Sequence, residues 1–463
     1  MEFVSDLHLH SKYSRAVSQQ MVLPEMAKWA VKKGINLLTA SDFTHPLWLR
    51  AIKGELEESG EGVYKVRDER LEVRNDVRFI LSTEIASIFK QGEKLRRIHN
   101  LVFAPDIETA EKINKSLLGR GCNLSSDGRP IIGLSSKNLL DLLLNIDKRI
   151  ILIPCHVWTP HFGLYGSASG FNSIKESFEE LSNYIYGIET GISSDPLMNW
   201  QIPELENRSI LSFSDAHSAP KMARETTVFK IDKTLDTLSY MDIGKAIVSQ
   251  AKMEDRKWKM ENSQRIAYTV EFYPEEGKYH YTGHRNCKVI KSPEEIKKEG
   301  AICPSCKRHL TEGVLFRVGQ LGGESADFDI KSFESDSLGV KWIKDPKGIH
   351  PKFVKLVPLN EIIAESMEAT VLSEKVKMKF DEMCLEFGSE LKVLLGISIS
   401  DISSKFGEKV AEGVAKVRSG DIVVDPGYDG EYGKVKIWSS GLSEDKGEEV
   451  KSDINKTQLG LKF

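Results

Sequence analysis

From residue 1 to about residue 249 the chain alternates short apolar runs with amphipathic stretches, and this alternation restricts its fold more than any other feature. Runs at 3–7, 37–41, 77–83, 98–103, 150–154, 187–190 and 210–214 are rich in Ile, Leu, Val and Phe and read as strands. Helical patterns lie between them. One is 24–33, which opens on Pro24 and is followed by Gly34; another is 174–181. Strands alternating with helices imply a largely parallel sheet, and this many units over this length suit an α/β barrel. Residues 54–76 are charged, lack apolar rhythm and read as an insertion.

At 463 residues the chain is too long for one core, and its style changes along its length. The expected division is a barrel over 1–249, a small cysteine-bearing module over 250–319, a helical region over 320–420, and a hairpin with a mobile tail over 421–463. Within these, 319–336 reads as a linker and 358–395 as helical. The valine pairs around Pro426-Gly427-Tyr428-Asp429-Gly430 mark the hairpin. A formal charge of −4 excludes a uniformly basic molecule, so any polyanion must meet a local patch. No apolar run is long enough to span a bilayer, nothing resembles a signal peptide, and a cytoplasmic location is expected.

Residues that bind metals recur at the strand ends. His8 and His10 are separated by one residue, so on an extended chain both imidazoles share a face. Asp42 follows the second run, Glu84 the third, and His99 lies in the fourth. His156 follows the fifth, and Asp215 and His217 follow the last. Each alone reads as a cap or a core histidine. At the mouth of a barrel they converge, and a borderline metal such as zinc takes imidazole and carboxylate together.

This pattern resembles the polymerase-and-histidinol-phosphatase (PHP) superfamily of distorted barrels. The resemblance rests on His8-Leu9-His10, Ser41-Asp42, Glu84, His99, His156 and Ser214-Asp215-Ala216-His217. It implies a (β/α)7-type barrel and phosphoester hydrolysis at a cluster of two or three metal ions. Two positions depart from the family: Arg15 stands where Asp or His is usual, and Phe43 where His follows the Asp. A guanidinium stays protonated and cannot ligate. Two metals are therefore expected. His8, His10, Glu84 and Asp215 would hold one; Glu84, His99 and His156 would hold the other, with Glu84 bridging. His217 would keep a partial third site with Asp42 or His45, or serve as an acid or base. Arg15 and Lys12 would stand in for the third cation and neutralise a phosphate.

His284-x-x-Cys287 and Cys303-Pro-Ser-Cys306 form two tight corners fifteen residues apart. Such a layout closes a tetrahedral structural zinc site, with His309 as a substitute for His284. Arg285, Lys288, Lys291, Lys307 and Arg308, with Tyr279 and Tyr281, supply cations and rings for a nucleic acid. The expected ions are thus two Zn2+ in the barrel and one in the finger, with Mg2+ or Mn2+ as alternative activators.

A PHP-type barrel followed by a finger and a helical tail resembles the endonuclease Q family of DNA repair nucleases. That resemblance implies cleavage 5′ to uracil, hypoxanthine, xanthine or an abasic site in DNA, in association with the nucleoid. Deamination turns a ring-nitrogen acceptor into an N–H donor beside a carbonyl, which a carboxylate and a donor can read on a flipped base. Two loops offer candidates: Asp195 for the N–H, and Ser173, Asn172 or Ser193 for the carbonyl. Asp195-Pro196 also reads as the start of a helix. Trp158, Phe162, Tyr165 and Phe171 are candidates to fill the space the base leaves. Residues 456–463 resemble a shortened sliding-clamp-binding peptide. A small-molecule phosphatase and a non-catalytic nucleic-acid scaffold are the rival readings. The finger argues against the first and the ligand set against the second.

Overall fold

The computed structural model describes residues 1–67, 76–251, 264–323, 326–329 and 331–439. The strand Glu2–Asp6 lies in the middle of the main sheet, parallel to Leu37–Thr39 on one side and antiparallel to Thr226–Ile231 on the other. Leu37–Thr39 runs parallel to the start of Arg78–Gln91. That fourteen-residue strand then changes partner: from Leu81 onward it pairs antiparallel with Lys94–Ala104, which in turn pairs with Ile151–Pro154. Gly187–Glu189 and Ser209–Leu211 form a separate parallel pair.

The expected α/β class is present, but the sheet is mixed rather than largely parallel. Short apolar runs do not encode direction, and the hairpin at 78–104 reverses the chain where a crossover helix was expected. The segment read as an insertion also contributes strands. Leu56–Gly60 and Val63–Val66 form a hairpin that joins Arg78–Gln91 through Tyr64 and Phe79. Val63, Tyr64 and Val66 are buried beneath their charged neighbours.

The sheet continues past residue 251. Gln264–Glu271 pairs antiparallel with Thr226–Ile231, and Lys352–Lys355 pairs parallel with Gln264–Glu271. Lys341–Ile343 and Phe333–Ser335 extend that edge. The helical region therefore begins at Leu359, not near 320. Three-residue strands flanked by lysine and glutamate carry too little periodicity to be seen in advance.

From Leu359 to Ser419 the chain forms five helices. The longest, Glu374–Phe387, buries Val376, Phe380, Met383 and Phe387. It meets the helix Leu23–Lys33, with the rings of Trp29 and Phe380 stacked at 6.0 Å. Val423–Asp425 and Lys434–Lys436 form the expected hairpin. It docks on the cysteine-bearing module, where Asp429 accepts from Arg285 N–H at 2.8 Å and from Thr311 Oγ1 at 2.5 Å. The clamp-like peptide at 456–463 lies outside the described residues. Among them, no helix is long and apolar enough to cross a membrane.

Candidate metal centre and cleft

Three pieces of backbone bring the ligand types together. Leu9 pairs in parallel with Ala216, and His10 N–H donates to Ala216 O, so the segment after the first strand lies along 214–217. Asp6 fastens that segment: its carboxylate accepts from Ser214 N–H, Ser214 Oγ and Ala223 N–H. In the hairpin, Glu84 faces Leu101 and Ala86 faces His99, which makes Glu84 and His99 diagonal neighbours on one face. His156 follows Ile151–Pro154, which pairs with the same arm. Asp42, His156 and Asp215 all have positive φ, of 54°, 33° and 47°. Non-glycine residues rarely occupy that region, and such strain gathers where side chains are aimed for a task.

The resulting geometry has Glu84 at its centre. Glu84 Oε2 lies 3.3 Å from His10 Nε2 and 3.8 Å from His8 Nε2. Glu84 Oε1 lies 2.5 Å from His99 Nδ1 and 3.0 Å from His156 Nε2. His8, His10 and Glu84 present donor atoms within 4.8 Å of one another, and so do Glu84, His99 and His156, and His10, Asp215 and His217. Asp215 Oδ1 is 3.0 Å from His10 Nε2. His217 thus joins His10 and Asp215. Asp42 and His45 are engaged elsewhere: Asp42 accepts from His10 Nδ1, Ser11 N–H and Ser14 Oγ, while His45 bonds Ser125 O.

The donor set fits divalent cations. His8 Nε2, His10 Nε2 and Asp215 Oδ1 are buried without a hydrogen-bond partner. Leaving three such atoms bare is costly unless an ion takes their lone pairs. The far nitrogens are already fixed: His8 Nδ1 bonds Glu189 at 2.9 Å and His10 Nδ1 bonds Asp42 at 3.2 Å, the second layer that orients metal-ligating imidazoles. Burial opposes charge on Glu84, but His99 and Arg129 outweigh it and hold the carboxyl well below its usual range. Asp215 is likewise held low against burial, by His10 and His8.

Two residues at this site have no motif to reveal them. Glu189 binds His8 and also accepts from His156 N–H at 2.9 Å. Arg129 reaches in from a loop and places Nη1 3.2 Å from Glu84 Oε2. Arg15, by contrast, is 78% exposed and paired with Asp127, and Lys12 lies over the Tyr13 ring, so neither takes the place expected of it. A guanidinium does stand beside the cluster, but it comes from 129 rather than 15.

The cluster opens into a cleft of about 840 Å³. His99, Arg129, His156, Asp215 and His217 line one end; Phe272, Glu276 and Tyr279 come from the segment after the strand Gln264–Glu271; Leu372, Lys377 and Phe380 come from the helical region. Of the base-reading candidates, Ser193 lines this cleft. Asp195 does not serve as expected: it is buried, accepts from Met198 N–H as a helix cap, and pairs with Lys355 at 2.7 Å. Its charge is already matched. Ser173 caps Ile174–Phe178, and Asn172 Oδ1 accepts from Arg317. Trp158, Tyr165 and Phe171 are core residues, whereas Phe162 lines the cleft against His99.

In the cysteine-bearing module, His284, Cys287, Cys303 and Cys306 present donor atoms within 4.8 Å, while His309 pairs with Ile302. Lys288 and Lys307, each directly after a cysteine, have φ of 52° and 61° and complete the two corners. The backbone N–H of Cys306 first, then His284 and the backbone N–H of Ser305, bring the Cys303 thiol down to about 6, toward the thiolate form that ligates metals. Lys291 is not free for a polyanion; it is buried against Glu299 and Gly300 O.

Comparison with solved structures shows a match over nearly the whole chain. The crystal structure of the lesion-specific endonuclease Q of Pyrococcus furiosus superposes with a TM-score of 0.75 at 27% identity, covering 94% of this chain and 95% of the other. The chain shares the endonuclease Q fold. An endonuclease Q complex with a 27-mer duplex, holding an abasic lesion at its active site, matches equally well: TM-score 0.75, 28% identity, 94% and 96% coverage. Residues 358–421 match the family model of the MJ0043 C-terminal domain. MJ0043 itself, an uncharacterised protein of Methanocaldococcus jannaschii, is 31% identical over 283 residues. That match takes in 60% of this chain, which spans 31% of the length of MJ0043. The domain named for it forms the cleft wall opposite the ligand cluster of this endonuclease Q relative.

Proposed function

We propose that this protein is a metal-dependent DNA endonuclease of base-damage repair. It hydrolyses the phosphodiester on the 5′ side of a deaminated base (uracil, hypoxanthine or xanthine) or an abasic site. The observation that carries this reading is the position of the ligand cluster. Two donor groups sharing Glu84 stand at one end of a cleft large enough for a flipped nucleotide, on a fold known with lesion-bearing duplex in place.

His8, His10, Glu84 and Asp215 are assigned to one Zn2+, and Glu84, His99 and His156 to a second, with Mg2+ or Mn2+ as alternatives. When bound, such a pair lowers the pKa of water and stabilises charge on the attacking and leaving oxygens of an in-line displacement. Glu189 and Asp42 hold His8 and His10 in the tautomer that leaves Nε2 free. His217, whose Nδ1 donates to Asp215 O, is placed either as a further ligand or as the acid that protonates the leaving oxygen. The cleft walls carry cations for neighbouring phosphates, Lys278 and Lys377, and the 68% exposed ring of Tyr432 for a base. His284, Cys287, Cys303 and Cys306 hold a structural zinc that keeps the finger folded.

The test is a labelled duplex with one deoxyuridine, incubated with Zn2+, Mg2+ or Mn2+ beside an undamaged control. A single nick 5′ of the uridine, lost in Glu84→Ala, is the expected result. Equal degradation of both duplexes would mean a general nuclease, and no cleavage of either would refute the proposal.

A further inference from the structure

The loop between Ile107–Leu118 and Ile131–Ile132 is stitched to the metal centre. Gly128 N–H donates to Tyr13 O at 3.1 Å, and Thr44 Oγ1 donates to Gly128 O at 3.2 Å. Asp127 Oδ1 accepts from the N–H groups of Arg15 and Arg129, and Ala86 N–H donates to Pro130 O. A Cβ on Gly128 would fall 2.3 Å from Ser14 Oγ and 2.5 Å from Asp42 Oδ2. Only glycine lets the backbone run this close, and that approach decides where the next side chain goes. Arg129 is delivered into the cleft, 24% exposed, with Nη1 against Glu84 Oε2.

That oxygen is also the one nearest His8 and His10. A cation held by the two imidazoles would draw on the same carboxylate, leaving the guanidinium beside a like charge. Glu84 is the carboxylate within ion-pair distance of Arg129 among the described residues. Once its charge is spent on divalent ions, Arg129 is left beside surplus positive charge in a partly dehydrated cleft, where Coulomb terms are strong. An anion relieves this, and a guanidinium fork matches two oxygens of a phosphate.

We propose that Arg129 is a catalytic residue that binds a non-bridging oxygen of the scissile phosphate, in place of its contact with Glu84, when the metal ligands are occupied. The inference rests on the phosphodiesterase reading above. No covalent bond to Arg129 forms; it carries charge that grows on the phosphoryl oxygens as water attacks.

Arg129→Ala and Arg129→Lys, purified with their metals, are compared with the unaltered protein on the uracil duplex and on bis(p-nitrophenyl) phosphate. Metal-to-protein ratio and calorimetric affinity for inorganic phosphate are measured alongside. In the alanine variant kcat falls about 10²–10³-fold on both substrates, as for other donors to developing oxyanions. Its metal ratio is unchanged, its phosphate affinity falls about tenfold, and millimolar guanidinium restores part of the rate; the lysine variant retains an intermediate rate. Loss of metal from the alanine variant would overturn the proposal and make Arg129 a positioning residue for Glu84. Unchanged phosphate affinity would overturn it too. Should the unaltered protein hydrolyse the small diester but ignore the duplex, the DNA reading fails while the Arg129 comparison still stands.

Discussion

Glu271 is fully buried, with Oε1 accepting from Ser212 Oγ at 2.6 Å and from Thr269 Oγ1. Burial first, and then the charge of Asp195, push its carboxyl up to about 8 from an ordinary 4.5. The folded chain therefore keeps a proton that the unfolded chain releases. The stabilisation is fully present below about pH 4.5 and is lost as pH rises through about 8. In Glu271→Gln the decline in Tm between pH 5 and pH 8 becomes shallower; an identical decline in both proteins would contradict this. At this scale the sequence was legible where spacing alone carries meaning. His8 and His10 had to share a face, and Glu84 and His99 were picked out by residue type near strand ends, although the hairpin that joins them was not foreseen. Glu189 and Arg129 were not legible, because their roles exist only through contacts with residues 181 and 45 positions away. Asp195 was misread because a helix cap and a base-reading carboxylate look alike before Lys355 is seen beside one of them.

At the scale of elements, Arg418 does work that no pattern announces. It lies at the end of the helix Glu408–Ser419 and is 1% exposed. Its guanidinium donates to the carbonyls of Leu394, Val393, Ile397 and Leu338. Three of these belong to the end of the helix Glu390–Gly396 and its exit, where carbonyls lack intrahelical partners. Arg418→Met keeps the volume and removes every donor, and should cost about 3 kcal/mol of stability. Urea unfolding would measure it, and a change below about 0.5 kcal/mol would show that water replaces the guanidinium. The helices here were anticipated from apolar rhythm, yet the strands at 333–355 were not. Their identity comes from joining the edge of an existing sheet, which is information held by Gln264–Glu271 rather than by themselves.

For the whole molecule, the decisive contact is between the mixed-sheet region and the helical region, since the cleft exists only while both walls are in place. Lys33 Nζ lies 2.5 Å from Glu390 Oε2, with the two side chains 3% and 5% exposed. Glu390 Oε1 also accepts from Leu359 N–H, at the point where the helical region begins. Lys33→Met strands a buried carboxylate and should cost about 3–5 kcal/mol. Adding Glu390→Gln, which still accepts from Leu359, should recover most of that loss; a double variant as unstable as the single one would assign the cost to packing instead. The metal centre itself is assembled unevenly. Glu84 and His99 lie on strands bonded along their whole length and His156 follows a third, whereas His8 and His10 meet Asp215 through the single bridge of Leu9 to Ala216 and the side-chain bonds of Asp6. On the two-ion reading proposed above, heat or denaturant would remove the ions in order rather than together. The half-loaded molecule, still folded and still closed around the hairpin, would then be the form in which an ageing sample falls silent.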